Sequence, residues 1–164
     1  MPTTSSVQSD RDFVFIERVF TAPRELVIRA WTEPEQLLRW FAPPGCSIRY
    51  ELLDLRAGGS FHSCVLTPDG HECWCKGKYR EVVFPERLVF KMAVADAQGN
   101  LKSPTEMGMH PDWPRETVCT VTFADEADNT RLTLHQTVNT ELAKQTGAYP
   151  SWLLMLDRLA ETLG

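Results

Sequence analysis

A change of hydrophobic period constrains this chain more than any other feature. From Cys46 to about Asn139 apolar and polar residues alternate at every second position, and from Tyr149 to Leu163 they recur at helical spacing. A period of two places alternate side chains on opposite faces of a strand, whereas a period near 3.6 gathers them on one side of a helix. Strands are predicted over 46–55, 60–66, 71–84, 87–95, 115–124 and 130–138. Gly58-Gly59, Thr67-Pro68-Asp69-Gly70, Phe84-Pro85-Glu86, Gln98-Gly99-Asn100 and Asp125 to Asn129 supply the turns between them. Short consecutive strands joined by tight turns make an antiparallel meander.

The terminal stripe comprises Tyr149, Trp152, Leu153, Leu156, Leu159, Ala160 and Leu163, with Asp157, Arg158, Glu161 and Thr162 off it. Glu141 to Gln145 add a short helical turn, and Gly147 and Pro150 predict a break between the two parts. Upstream, residues 12–20 read as a strand. Pro23 at a first helical position precedes Leu26, Val27, Ala30 and Trp31, one side of a short helix. Thr32-Glu33-Pro34-Glu35 has capping-box spacing and opens a second short helix that bears Leu37, Leu38, Trp40 and Phe41 and ends at Pro43-Pro44-Gly45.

An amphipathic helix must bury its stripe, and the large apolar surface on offer is one sheet face. A sheet of six or seven strands curls. A straight helix laid over it leaves a gap, which is a natural ligand site. The expected fold is therefore α+β, one domain over 12–164 preceded by a disordered leader at 1–11.

Composition excludes several classes. The chain has 164 residues, 43% of them hydrophobic, and a formal net charge of −5. No basic face is indicated, so no nucleic-acid partner is expected. Apolar runs fall far short of the ~20 residues a membrane span needs. The polar start, MPTTSSVQSDRD, has no apolar h-region, so a cytoplasmic location with five reduced cysteines is expected. No Gly-x-Ser-x-Gly, phosphate-binding glycine loop, His-Glu-x-x-His or dinucleotide fingerprint is present, and no cofactor is expected.

Several blocks in order resemble one family. They are Thr21 to Val27, Ala30 to Glu35, Leu38 to Pro43, Gly58 to Phe61, Gly77 to Val82, Pro85 to Phe90 and Trp152 to Ala160. Together they resemble the activator-of-Hsp90-ATPase-like family of the START-like (helix-grip, SRPBCC) superfamily, across about residues 12 to 163. The resemblance implies a β-α-α-β6-α layout. It does not imply one activity, since members include proposed carriers of lipids or polyketides, cyclases and stress-related proteins. The co-chaperone that names the family carries an additional N-terminal domain that does not fit in 164 residues, so direct Hsp90 activation is not expected.

Pro68-Asp69-Gly70 suits a three-residue hairpin loop pairing Thr67 with His71. That register puts Phe61, Ser63 and Val65 on one face with Cys73, Cys75, Gly77 and Tyr79, turned inward. A two-residue loop would instead gather His62, Cys64, Cys73 and Cys75 into a zinc patch or a disulfide. The first register is preferred, and no metal site is assigned.

The candidate cavity walls are Trp40, Phe41, Phe61, Cys73, Cys75, Tyr79, Phe90, Met92, Trp152 and Met155. The long irregular stretch 96–114 brings Met107, Met109 and Trp113 as a lid. His135 is a cavity candidate that shares a strand face with Thr133 and Thr137, while Leu132, Leu134 and Val138 leave its orientation open. No catalytic residue is assigned. The expected function is binding or carrying a small hydrophobic molecule, with a regulatory or stress-linked role. The alternatives are a cyclase- or hydratase-type cavity enzyme, which needs an inward-facing histidine or acid and is counted against by an outward His135 or His110, and a chaperone-linked or homodimeric interaction module.

Overall fold

The computed structural model describes residues 12–163, so the expected leader at 1–11 lies outside the described residues. β1 (Phe13–Phe20) leads to α1 (Arg24–Thr32) and α2 (Pro34–Trp40). Then come β2 (Ser47–Leu53), β3 (Ser60–Leu66), β4 (Glu72–Val83), β5 (Arg87–Val94), β6 (Glu116–Glu126) and β7 (Asn129–Asn139). α3 (Thr140–Thr146) and α4 (Ala148–Leu163) close the chain. The strands form a single sheet in the order β1-β7-β6-β5-β4-β3-β2, antiparallel throughout. β2 to β7 run as the expected meander. β1 and β2 lie at opposite edges, so α1 and α2 carry the chain across the width of the sheet. This is the helix-grip layout.

Two local expectations are corrected. Pro23 is extended (φ −66, ψ 152) and caps α1 rather than beginning it. The Thr32-x-x-Glu35 capping box does not form. Thr32 Oγ1 donates to Ile28 O at 2.9 Å and stays within α1. Pro34 restricts the residue before it to extended backbone, so the break falls at Glu33 (φ −93, ψ 126), and Pro34 opens α2.

The predicted break near Gly147 is present. Asn139 Oδ1 accepts from Leu142 N at 3.0 Å and starts α3, and Gly147, left-handed at φ 89, ends it. Pro150 lies in the first turn of α4, where no intrahelical N–H is lost.

α4 buries Trp152, Met155, Leu156 and Leu159, a narrower stripe than expected, since Leu153 is exposed. The helix rests chiefly on α2 and α3 and stands off the middle of the sheet. Arg158 fastens it by donating to Ala42 O at 2.6 Å, Arg39 O at 3.0 Å and Pro43 O at 3.3 Å in the segment after α2. Asp157 pairs with Arg18 on β1 at 2.6 Å. Below the helices, Val14, Ile16, Phe20, Val121, Phe123, Leu132, Leu134 and Val138 pack with Val27, Ala30 and Leu37 as the solid part of the core.

Candidate functional site

The stand-off between α4 and the sheet is a cavity of about 290 Å³. Ligand sites occupy roughly 300–1,000 Å³, so this one is at the small end. Its floor is a set of rows that run across the sheet through Cα partners. One row is Tyr50, Ser63, Cys75 and Val94. The next is Phe61, Gly77, Met92 and Thr117. The third is Tyr79, Phe90, Cys119 and Gln136. The expected hairpin register is the one observed, with Leu66 opposite Glu72, Ser63 opposite Cys75 and Thr67 N donating to His71 O at 2.9 Å.

Gly77 keeps the middle of the floor low. A Cβ there would lie 1.9 Å from Lys91 O and 2.4 Å from Phe61 Cζ, so the Phe61 ring occupies the space above the glycine. Phe61, Tyr79 and Phe90 then pack with centroids 5.5 to 6.3 Å apart. Trp31, Phe41 and Trp152 form the helical wall, with Trp31 and Trp152 stacked at 6.4 Å. At the far end Trp152 Nε1 donates to Gln136 Oε1 at 2.9 Å and Gln136 Nε2 donates to Thr117 Oγ1 at 3.2 Å. That chain ties α4 to the sheet and satisfies a buried amide. The Trp31 indole N–H is the one buried side-chain polar atom without a partner among the described residues.

Of the residues singled out in the sequence, Phe41, Phe61, Cys73, Cys75, Tyr79, Phe90, Met92, Met109, Trp113, Trp152 and Met155 line the cavity. Trp40, Met107 and His135 do not. Trp40 is fully buried, its Nε1 donating to Ala30 O at 2.9 Å, so it braces α1 against α2 behind the wall. Met107 ends a 3-10 turn (Thr105–Met107), and the left-handed Gly108 redirects the chain so that Met109 takes the rim position. His135 lies on the opposite face of β7 from Leu132, Leu134, Gln136 and Val138, with Phe13 5.9 Å from its ring.

Tyr50, Ser63, Trp31, Thr117 and Gln136 line the cavity and were not singled out. Gln136 had a signal, an amide in an otherwise apolar alternation with Leu132, Leu134 and Val138. Ser63 had one too, since the preferred register already placed it beside Phe61. Tyr50 had none. Residues Tyr50 and Leu52 flank a register shift, so Leu52 turns out and Leu53 turns in. Tyr79 flanks a second such bulge, before Glu81. Bulges re-aim side chains and often border sites.

The interior is uncharged. Burial, then the neighbouring Tyr79 and Cys75, holds the Tyr50 phenol well above its ordinary range, and burial does the same for Tyr79. Burial pushes the Cys75 thiol up to about 12. No carboxylate or imidazole lines the cavity among the described residues, and its one charged lining residue is the exposed Arg115. The cysteines are all free thiols, and no cluster of three metal-ligating side chains exists among the described residues. His62 instead packs against Trp74 on the outer face, with centroids 4.9 Å apart and the rings tilted by 34°, and contacts Asp96 O at 2.9 Å through Nε2. A wider depression between α1 and the β4–β5 turn is open to solvent and holds ion pairs already closed, such as Arg24–Asp125 at 3.0 Å.

The family model described as activator of Hsp90 ATPase homolog 1-like protein matches residues 21–164. The chain belongs to this family. A search of curated proteins finds no match to this member. Among solved structures, it is similar to a crystal structure from Nitrosomonas europaea at 26% identity and TM-score 0.73, covering 94% of this chain and 96% of that one. A solution structure from Arthrobacter aurescens has 21% identity and TM-score 0.80, with 94% and 87% covered. A crystal structure described as an AHSA1 protein from Silicibacter pomeroyi has 19% identity and TM-score 0.71, with 92% and 96% covered. The last two likenesses concern the fold alone. In this family member no helix among the described residues is long and apolar enough to cross a membrane.

Proposed function

We propose that this protein binds or carries a small hydrophobic molecule between α4 and the sheet. The observation that carries the reading is the 290 Å³ cavity walled by Trp31, Phe41, Phe61, Phe90, Met92, Trp152 and Met155. A dry apolar cavity of roughly 150 Å³ holds benzene, so one about twice that size suits two rings. Burial of apolar ligand surface supplies the affinity, and Met92, Met109 and Met155 adapt the walls. The cyclase or hydratase alternative requires an inward-facing histidine or acid, and neither His135, His110 nor any carboxylate is among the cavity walls of the described residues. No observation favours the Hsp90-linked module.

Trp31, Trp113 and Trp152 line the cavity and report on its occupancy. Naphthalene titrated into the purified protein is expected to change tryptophan fluorescence saturably, at one molecule per chain. No change, or a change that never saturates, would remove the reading.

A further inference from the structure

The proposed binding reading says where a ligand sits but not what kind it is. Ser63 and Tyr79 are each only 5% exposed as residues and line the cavity; their hydroxyls make no hydrogen bond among the described residues, and unlike the Trp31 indole N–H neither oxygen is sealed off from solvent. Tyr50 is the Cα partner of Ser63 and lines the cavity with it. The neighbouring Cys75 contributes a neutral thiol from the same row as Ser63. Tyr50 and Ser63 thus bring two hydroxyls to one end of an otherwise apolar chamber, with Tyr79 two rows further along the floor.

Such groups are tolerable while they face water in an open cavity. A wholly apolar ligand would expel that water and strand them, and a stranded buried polar group costs free energy. A ligand that brings an oxygen restores the bonds. A site built to meet a polar group rejects the analogue lacking it. The hydroxyls can donate or accept, and no cation stands among them. Arg115, the single charged lining residue, is exposed. An anionic oxygen placed at the hydroxyls would be desolvated without a counter-charge.

We infer that Tyr50 and Ser63 form a polar subsite selecting a neutral, two-ring-sized ligand that bears a hydroxyl or carbonyl oxygen at one end. This rests on the binding reading and specifies the ligand class for the same cavity.

Three matched probes test it: naphthalene, 2-naphthol and 2-naphthoate at pH 7, each titrated against the full chain. Naphthol is expected to bind about five- to tenfold tighter than naphthalene, the range of one or two net hydrogen bonds. Naphthoate is expected to bind more weakly than naphthol. The Tyr50→Phe/Ser63→Ala double variant should abolish naphthol's preference over naphthalene, by weakening naphthol and relieving the penalty naphthalene meets. Equal binding of naphthol and naphthalene, tightest binding of naphthoate, or an undiminished preference in the double variant each overturn the subsite while naphthalene binding leaves the cavity reading intact. If none of the three binds, both readings fall.

Discussion

Gly77 shows how a single missing methyl shapes the site. Its Cβ would meet the Lys91 carbonyl at 1.9 Å, a backbone atom that cannot swing away, and the Phe61 ring at 2.4 Å. Gly77→Ala should cost about 3 kcal/mol, at the upper end for overpacking, and lower Tm by roughly 6–12 °C in a thermal melt. The thiols offer a second check at this scale. Burial raises Cys75 and Cys119, and burial also raises the more accessible Cys73, so little thiolate is present at pH 8. Iodoacetamide at that pH should label Cys46 and Cys73 before Cys75 and Cys119, and all five only after unfolding, as read by peptide mass spectrometry.

Among the elements, α4 depends on its attachment to the segment after α2. Arg158→Ala removes donors to Ala42, Pro43 and Arg39 carbonyls and should cost about 1–3 kcal/mol, measured by urea unfolding. Arg158→Lys should recover only part of this, because an ammonium lacks the planar fork that reaches several carbonyls. The 95–115 segment is fastened by carboxylates. Backbone N–H groups, Asn100 first, hold Asp96 below the usual carboxylate range, and Ser103 does the same for Glu106. Depressed folded values mean the stabilisation is complete above the ordinary carboxylate value and is lost as pH falls through the folded one. Trp113 fluorescence should therefore hold steady down to about pH 4 and shift below it, ahead of the far-UV signal.

For the whole molecule, closure depends on its most distant pairing. β1 pairs with β7 from Phe20–Thr130 to Phe13–Asn139 and buries Val14, Ile16 and Phe20. Deleting 12–20 should leave β7 an open edge and the core without those side chains, giving a chain that lacks a cooperative melt by circular dichroism. A bound ligand should act in the other direction. At about a hundred times its Kd, naphthol should stabilise the chain by about 2.7 kcal/mol.

Sequence periodicity alone determined the strands, the helices, the Gly147 break and the β3–β4 register, because side-chain alternation, proline and glycine act over a few residues. It also supplied most of the cavity wall, since aromatic and Met residues on inward faces must line whatever space lies beneath α4. Its local rules failed at Thr32, where the proline two residues on outranked a capping box, and at His135, where neighbours did not settle the face. Only the tertiary structure decided how far α4 stands from the sheet, and hence the 290 Å³ of the cavity. The outward turn of Leu52 belongs to that second category as well. The register shift after Tyr50 re-aims it, and bulges answer to the curvature of the whole sheet rather than to the residues beside them.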